Sequence, residues 1–391
     1  MKKILGLLLA LCLIAGCTSA FAAGIPVEQV KIGYITIGDE NEGYSANHLN
    51  GLKEAQKALG ISDDQVLCKY NVPETEDAYE AAIDLAEQGC NIIFATSFGH
   101  ESYVFQAAEE YPNIQFCHAT GTAAMSSPLN NVHNYFYAVY ESRYVSGVVA
   151  GMKLAQMIED GTITADAAKI GYVGAFPFAE VISGFTSFFL GARSQCPSVT
   201  MEVRYTNSWA DMALEKETAE ALIADGCVLI SQHADTTGAP SACEAAGVPC
   251  VGYNISMLPV APNTALTSAA GDWGAYVTYA VKCLIDGEEI ARDWCKGYAE
   301  GAVYTTELND SIVAPGTAEK VAELEAGFKA GTVKVFDTSA FTVNGETLTS
   351  YTTAYGLDGI EMVSDGEFHE SSVRSAPYFD ILIDGITAVV E

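Results

Sequence analysis

The stretch GCNIIFATSFGHE, residues 89–101, opens with Gly-Cys, runs through continuous apolar residues and empties into small, polar and aromatic ones. The stretch GCVLISQHADTTG, residues 226–238, does the same. Unbroken apolar runs such as Asn91-Ile92-Ile93-Phe94 and Val228-Leu229-Ile230 are the pattern of parallel strands covered on both faces, because a strand with one wet face alternates instead. The likeness extends outward. Lys31-Ile32-Gly33-Tyr34-Ile35 returns as Lys169-Ile170-Gly171-Tyr172-Val173, helical segments open at Gly51 and again at Gly184, and AAEEYPNIQFCHA (107–119) is answered by CEAAGVPCVGYN (243–254). Matches in one order predict a chain written twice, each copy reading strand, loop, helix, strand, loop, helix, strand. Ala78, Ala82, Leu85 and Ala86 form the inward stripe of one such helix.

The expected fold class is therefore α/β: two similar Rossmann-like lobes, each a parallel sheet, joined by a hinge with a ligand cleft between them. The loops at 95–101 and 231–238 are carboxyl ends of strands, where such sheets bind ligands, and two facing lobes aim both loops at one ligand. Residues 24–140 read as the first lobe and 141–296 as the second with a connecting helix. Residues 297–391 fit neither copy and read as crossovers and added elements bracing the lobes.

The chain has 391 residues, 50 acidic against 19 basic, and a net charge of −31. That balance excludes a nucleic-acid partner, whose phosphates demand clustered Lys and Arg, and reads as a solvated, self-repelling surface. Residues 1–23 read as a signal peptide. Lys2-Lys3 precede an apolar stretch too short to span a membrane, and Ile14-Ala15-Gly16-Cys17 ends it like a lipobox. The expectation is export, with Cys17 lipidated and holding a monomer at the outer face of the cytoplasmic membrane by lipid alone; Ala20-Phe21-Ala22 offers a competing cleavage site that leaves the chain periplasmic. Without Cys12 and Cys17 an odd number of cysteines remains, mostly beside apolar runs and with no C-x-x-C pair, which argues against a disulfide framework or a zinc site.

Chemistry of other kinds is not written here. No nucleophile elbow, phosphate-binding glycine loop or metalloprotease helix occurs, and the six histidines are dispersed without ligand spacing. No catalytic residue, metal or cofactor is expected. The cleft loops carry binding chemistry instead: rings to cover the faces of a flat ligand, carboxylates and amides to meet its edge. GDENEGYSANHLNG (38–51) offers Asp39, Glu42 and Tyr44; GAFPFAEVISG (174–184) offers Phe176 and Glu180; YTNSWAD (205–211) offers Trp209. GYN (252–254) adds Asn254, GDWGAY (271–276) adds Asp272 and Trp273, and Ser97, Phe98, Gly99, His100 and Asp235 complete the wall.

Several of these stretches together resemble the basic membrane lipoprotein group of ABC-transporter substrate-binding proteins, whose members include purine nucleoside receptors. Those carrying the likeness are ATSFGHESYVFQAAEEYPNIQFCHATG (95–121), NVHNYFYAVYESRYVSGVVAGMKLA (131–155), FAEVISGFTSFFLGAR (178–193), YTNSWAD and GCVLISQHADTTG. The resemblance implies a hinged, non-enzymatic receptor that closes on a purine nucleoside or nucleobase and delivers it to an ABC permease and its ATPase. It also implies one aromatic plate from each lobe, which falls on Tyr44 and Trp209. The chain departs from the nucleoside-binding pattern where Asn254 stands for an Asp and where 267–272 supplies no Lys. A free base, or another flat ring such as a flavin, is then the competing ligand, and a ligand-sensing surface lipoprotein the competing role.

Overall fold

Fifteen strands and nine α-helices are seen in a computed structural model that describes residues 24–354 and 357–389. The leader and Cys17 lie outside the described residues. The first copy comprises β1 (Ile32–Ile35), α1 (Gly43–Leu59), β2 (Val66–Lys69), α2 (Asp77–Glu87), β3 (Ile92–Ala95), α3 (Glu101–Glu110), β4 (Gln115–Ala119) and β5 (Val132–Tyr137). After α4 (Val139–Glu159) the second copy runs β6 (Lys169–Gly174), α5 (Ala179–Gln195), β7 (Thr200–Tyr205), α6 (Met212–Ala224), β8 (Leu229–His233), α7 (Gly238–Ala246), β9 (Cys250–Tyr253) and β10 (Ala265–Gly271). The remaining elements are α8 (Trp273–Asp286), β11 (Asp293–Lys296), β12 (Val303–Thr305), α9 (Thr317–Lys329), the two-residue pair β13 (Val363–Ser364) and β14 (Glu367–Phe368), and β15 (Ile386–Val389).

The sheets are ordered β2-β1-β3-β4-β5-β11 and β15-β7-β6-β8-β9-β10-β12. The shared core of both is a doubly wound parallel sheet, and its direction of winding reverses between β1 and β3 and between β6 and β8. The two parallel-sheet lobes expected from the repeat are the ones observed.

The repeat is also legible in the backbone. Gly89 and Gly226 both adopt φ 87°, past the ends of α2 and α6, and the following Cys90 and Cys227 amides donate back to Leu85 and Leu222 carbonyls at 3.1 and 3.0 Å. Glycine ends the helix in the left-handed region without a Cβ penalty, and the cysteine thiol that follows is buried as a small apolar group. Thr120 and Asn254, just beyond β4 and β9, share φ 66°; Asn71 and Asn207, beyond β2 and β7, share φ 54°.

Between the lobes the chain crosses three times. On the first crossing α4 leaves β5 and lies against α5 with glycines at the contact. A Cβ at Gly147 would stand 2.0 Å from the Phe188 carbonyl oxygen, and one at Gly151 2.2 Å from that of Ala192. On the second, α8 returns to the first lobe, its Gly274 backbone against Gly51 of α1, and β11 pairs in parallel with β5. Residues 273–296, read from sequence as part of the second lobe, therefore pack with the first. Asp293-Trp294-Cys295-Lys296 is short and polar, and only its distant partner makes it a strand. On the third, β12 pairs antiparallel with β10, and the C-terminal β15 extends the second sheet beside β7. The tail ties to both lobes. Ser375 Oγ donates to Asp293 at 2.7 Å, while the buried Glu370 carboxylate accepts from Ser183 Oγ on α5 and from the Tyr378 and Phe379 amides. Among the described residues no helix is long and apolar enough to cross a membrane.

Gly89→Ala meets open space but the wrong backbone region, and should cost about 1–2 kcal/mol. Gly147→Leu drives a side chain into the α5 backbone and should cost about 3 kcal/mol or more. Urea-unfolding midpoints of the two variants rank these costs; equal midpoints would mean that the close approach of α4 and α5 yields freely.

Candidate functional site

Both reversal points open toward each other, and the lobes touch there. The Gly43 amide at the start of α1 donates to the Asp235 carbonyl oxygen of the second lobe at 3.2 Å. Beside this contact Phe98 of the first lobe and Phe178 of the second meet with ring centroids 5.7 Å apart. They border a narrow cavity, partly open to solvent, lined by Ile37, Tyr44, Ser97, Phe98 and Thr120 from one lobe and Glu180, Trp209, His233, Asp235 and Tyr253 from the other. Its walls are mostly apolar, with few convergent polar groups, the character of a small-molecule site.

Tyr44 reaches the cavity because Glu42 caps α1. The Glu42 carboxylate accepts from the Tyr44 and Ser45 amides, which fixes the first turn. The Tyr44 hydroxyl donates to the Thr96 carbonyl at 2.5 Å, and its ring stands edge-on to His48 and Trp273. Trp209 sits opposite in sequence terms, on the loop between β7 and α6. Its ring packs on Phe176 and Phe178, its carbonyl accepts from the Asp235 amide at 2.9 Å, and Asp211 caps the helix that follows.

The polar edge comes almost wholly from the second lobe. Glu180 lies in the first turn of α5, its side chain 15% exposed, with Oε1 3.4 Å from His233 Nε2. Burial pushes the Glu180 carboxyl up to about 7, against the opposing pull of Arg143. The same burial, with the Arg143 charge beside it, holds His233 well below the usual imidazole range, so the ring is neutral. Asp235 accepts from Asn254 Nδ2 at 2.8 Å, and burial together with the charges of Glu42, Glu215 and Glu180 raises its carboxyl well above the carboxylate range. Behind Tyr253, the fully buried Arg143 lays its guanidinium 3.7 Å from that ring's centroid and donates to the Gln232 carbonyl at 2.6 Å.

Of the residues singled out in the sequence, Tyr44, Ser97, Phe98, Glu180, Trp209 and Asp235 line this cavity. Phe176 backs Trp209. Gly99 and the Ser97 hydroxyl are engaged by Glu74, which accepts from both at 2.7 Å and so shapes the loop. Five others do other work. Asp39 is a turn residue accepting from Asn41, outside the cavity, and Glu42 is spent on the helix cap. His100 is buried with Nε2 at 2.9 Å from the Val72 carbonyl. Asp272 caps α8 and faces a separate groove with Asn47 and Glu307. Trp273 is 1% exposed and stacks on His48 beneath Tyr44, with centroids 3.9 Å apart. Asn254 does not line the cavity but holds Asp235. Sequence reading missed Ile37, Thr120, His233 and Tyr253 as lining residues and Arg143 altogether. Each looks in sequence like a strand-end or core residue.

Glu180 carries a pH signature. Its folded-state carboxyl, at about 7, lies above its unfolded value of 4.5. Its favourable contribution is complete below 4.5 and lost as pH rises through 7. Relative to Glu180→Gln, which removes this titration, the wild type should lose about 2 kcal/mol between pH 5 and 8. Urea unfolding at those two pH values measures the difference; a constant gap would show that Glu180 is ionised throughout.

Comparison with known proteins places this architecture. The family of PnrA-like ABC transporter substrate-binding proteins, Bmp, matches residues 34–328. A purine-binding protein of Brucella abortus is 33% identical over 79% of this chain and 83% of its own. A putative ABC transporter glucose-binding protein of Haloferax volcanii is 30% identical over 80% of this chain and 76% of its own. Among solved structures, an ABC transporter solute-binding protein from Aeropyrum pernix superposes with a TM-score of 0.66 at 17% identity, over 78% of this chain and 93% of that one. That likeness speaks to fold alone. The twin doubly wound lobes, the cavity between them and the match across most of the chain make this protein a member of the Bmp family of ABC-transporter substrate-binding proteins.

Proposed function

We propose that this protein captures a purine, as free base or nucleoside, between its lobes and hands it to the permease and ATPase of an ABC importer. The observation that carries the reading is the pairing of Tyr44 from one lobe with Trp209 from the other on a single cavity whose polar groups gather at one edge. A flat heteroaromatic ring satisfies such a site, faces on rings and edge on carboxyls. Only a closed arrangement brings both sets of contacts to the ligand, so binding favours closure. The purine-binding relative supports the same chemistry.

Polarity favours the free base within this class. Asn254, at the position where nucleoside-binding members carry an Asp, turns to Asp235 instead of the cavity. Glucose is the second reading, because the Haloferax relative is named for it and because aromatic and carboxyl groups also hold a pyranose. Delivery places the protein outside the cytoplasm, and we assign its anchor to a lipid on Cys17, with the folded part a monomer.

A ligand at about 100 times its dissociation constant adds roughly 2.7 kcal/mol of stability. A thermal-shift panel of adenine, guanine, hypoxanthine, their nucleosides, riboflavin and glucose should therefore respond to purines, bases above nucleosides. A response to glucose alone would overturn the purine reading. Trp209→Ala should weaken the best purine by about tenfold or more in calorimetry, the loss expected of one stacking partner, and leave the unfolding midpoint without ligand nearly unchanged; undiminished affinity would remove Trp209 from the site.

A further inference from the structure

The second lobe builds its polar edge around a buried cation. Arg143 on α4 is 0% exposed; one guanidinium nitrogen donates to the Gln232 carbonyl, while Nε and the other terminal nitrogen find no acceptor among the described residues. A buried guanidinium with unmet donors is costly and polarises whatever lies next to it. What lies next to it is the cavity wall. Its guanidinium covers the Tyr253 ring, and a Cβ built on Gly184 would stand 2.5 Å from His233 Nδ1 and 3.7 Å from Arg143 Nε. Glu180 and Gly184 are one turn apart on α5, so they share a helix face. The glycine leaves the hollow into which His233 and Arg143 press, and the glutamate stands above it at the cavity. His233 then bridges toward Glu180 at 3.4 Å.

We propose that Glu180, backed by His233 and the buried Arg143, is the specificity-determining residue of the cavity and reads the hydrogen-bonding edge of the purine, with Arg143 as its positioning residue. The inference rests on the purine reading of the preceding subsection. A carboxylate accepts twice and fits an edge with two adjacent N–H donors, as in guanine. A neutral carboxylic acid donates once and accepts once, and fits an edge pairing an amino group with a ring nitrogen, as in adenine. The groups facing Glu180 are His233 from β8, Arg143 from α4, Asp235 from the loop after β8, Tyr253 from β9, and Tyr44 and Tyr137 from the first lobe. Only Arg143 among them favours the charged form of Glu180, and burial opposes it. The balance falls at about 7, so both forms occur across ordinary pH.

The test is calorimetric titration of the whole mature protein with adenine and with guanine at about pH 6 and pH 8. The expected result is relative preference for adenine at the lower pH and for guanine at the higher, the ratio of the two affinities changing by about tenfold or more, as a bidentate pair discriminates. Glu180→Gln, whose amide both donates and accepts, should show a ratio independent of pH and on the adenine side. Arg143→Met should move the crossover to higher pH; if that variant does not fold, the glutamine variant decides alone. Purine binding with a ratio that ignores pH, or one that Glu180→Gln leaves unchanged, overturns this inference only. Binding of no purine at either pH overturns the purine reading, and this inference with it.

Discussion

The 3.2 Å hydrogen bond from the Gly43 amide to the Asp235 carbonyl joins the start of the first lobe's opening helix to the strand-end loop of the second. A Cβ at position 43 would stand 2.8 Å from that oxygen, so the contact demands glycine. Everything in the cavity is referenced to this point. Tyr44 is the next residue along in the first lobe, and Asp235 is tied by its own amide to the Trp209 carbonyl in the second. The two rings and the carboxyl edge are thus positioned by backbone, not by long flexible side chains. Such a site is preorganised in each lobe and completed only when the lobes meet.

Closure brings like charges together. Glu42 from the first lobe and Glu180, Glu215 and Asp235 from the second gather around the contact, and each is held above its ordinary carboxyl range by burial. Three relieve the cost locally: Glu42 accepts helix-cap amides, Glu215 takes the Thr236 amide with both oxygens at 3.2 Å, and Asp235 accepts from Asn254. Glu180 and Asp235 line the cavity, where the proposed ligand's N–H donors would offset the remaining desolvation. The acid excess of the chain, which reads in composition as a solvated surface, has a buried minority at this seam.

Six of the residues that line the cavity stand out in the sequence. Tyr44 and Trp209 do so because an aromatic interrupts a polar loop, and Glu180 and Asp235 because each sets an acid in the segment that follows a strand. The misassigned residues share a different cause. Glu42, Asp39 and Asp272 sit in cleft loops, yet their carboxylates satisfy local amides, and a capping acid looks in sequence like a ligand-binding one. Trp273 lies beside a loop glycine, but α8 crosses back to the first lobe and buries it against His48. No local pattern announces a helix that changes lobes.

The sequence by itself determined the α/β class, the twofold repeat and the strand ends that face the cleft. Those features follow from side-chain periodicity and left-handed glycines and asparagines, which act over a few residues. Tertiary structure alone decided which lobe α8, β11 and the tail join, and which side chains converge on the cavity. Arg143, His233, Tyr253 and Thr120 come from separate elements, and a wall made where two lobes intersect has no contiguous stretch of chain to encode it.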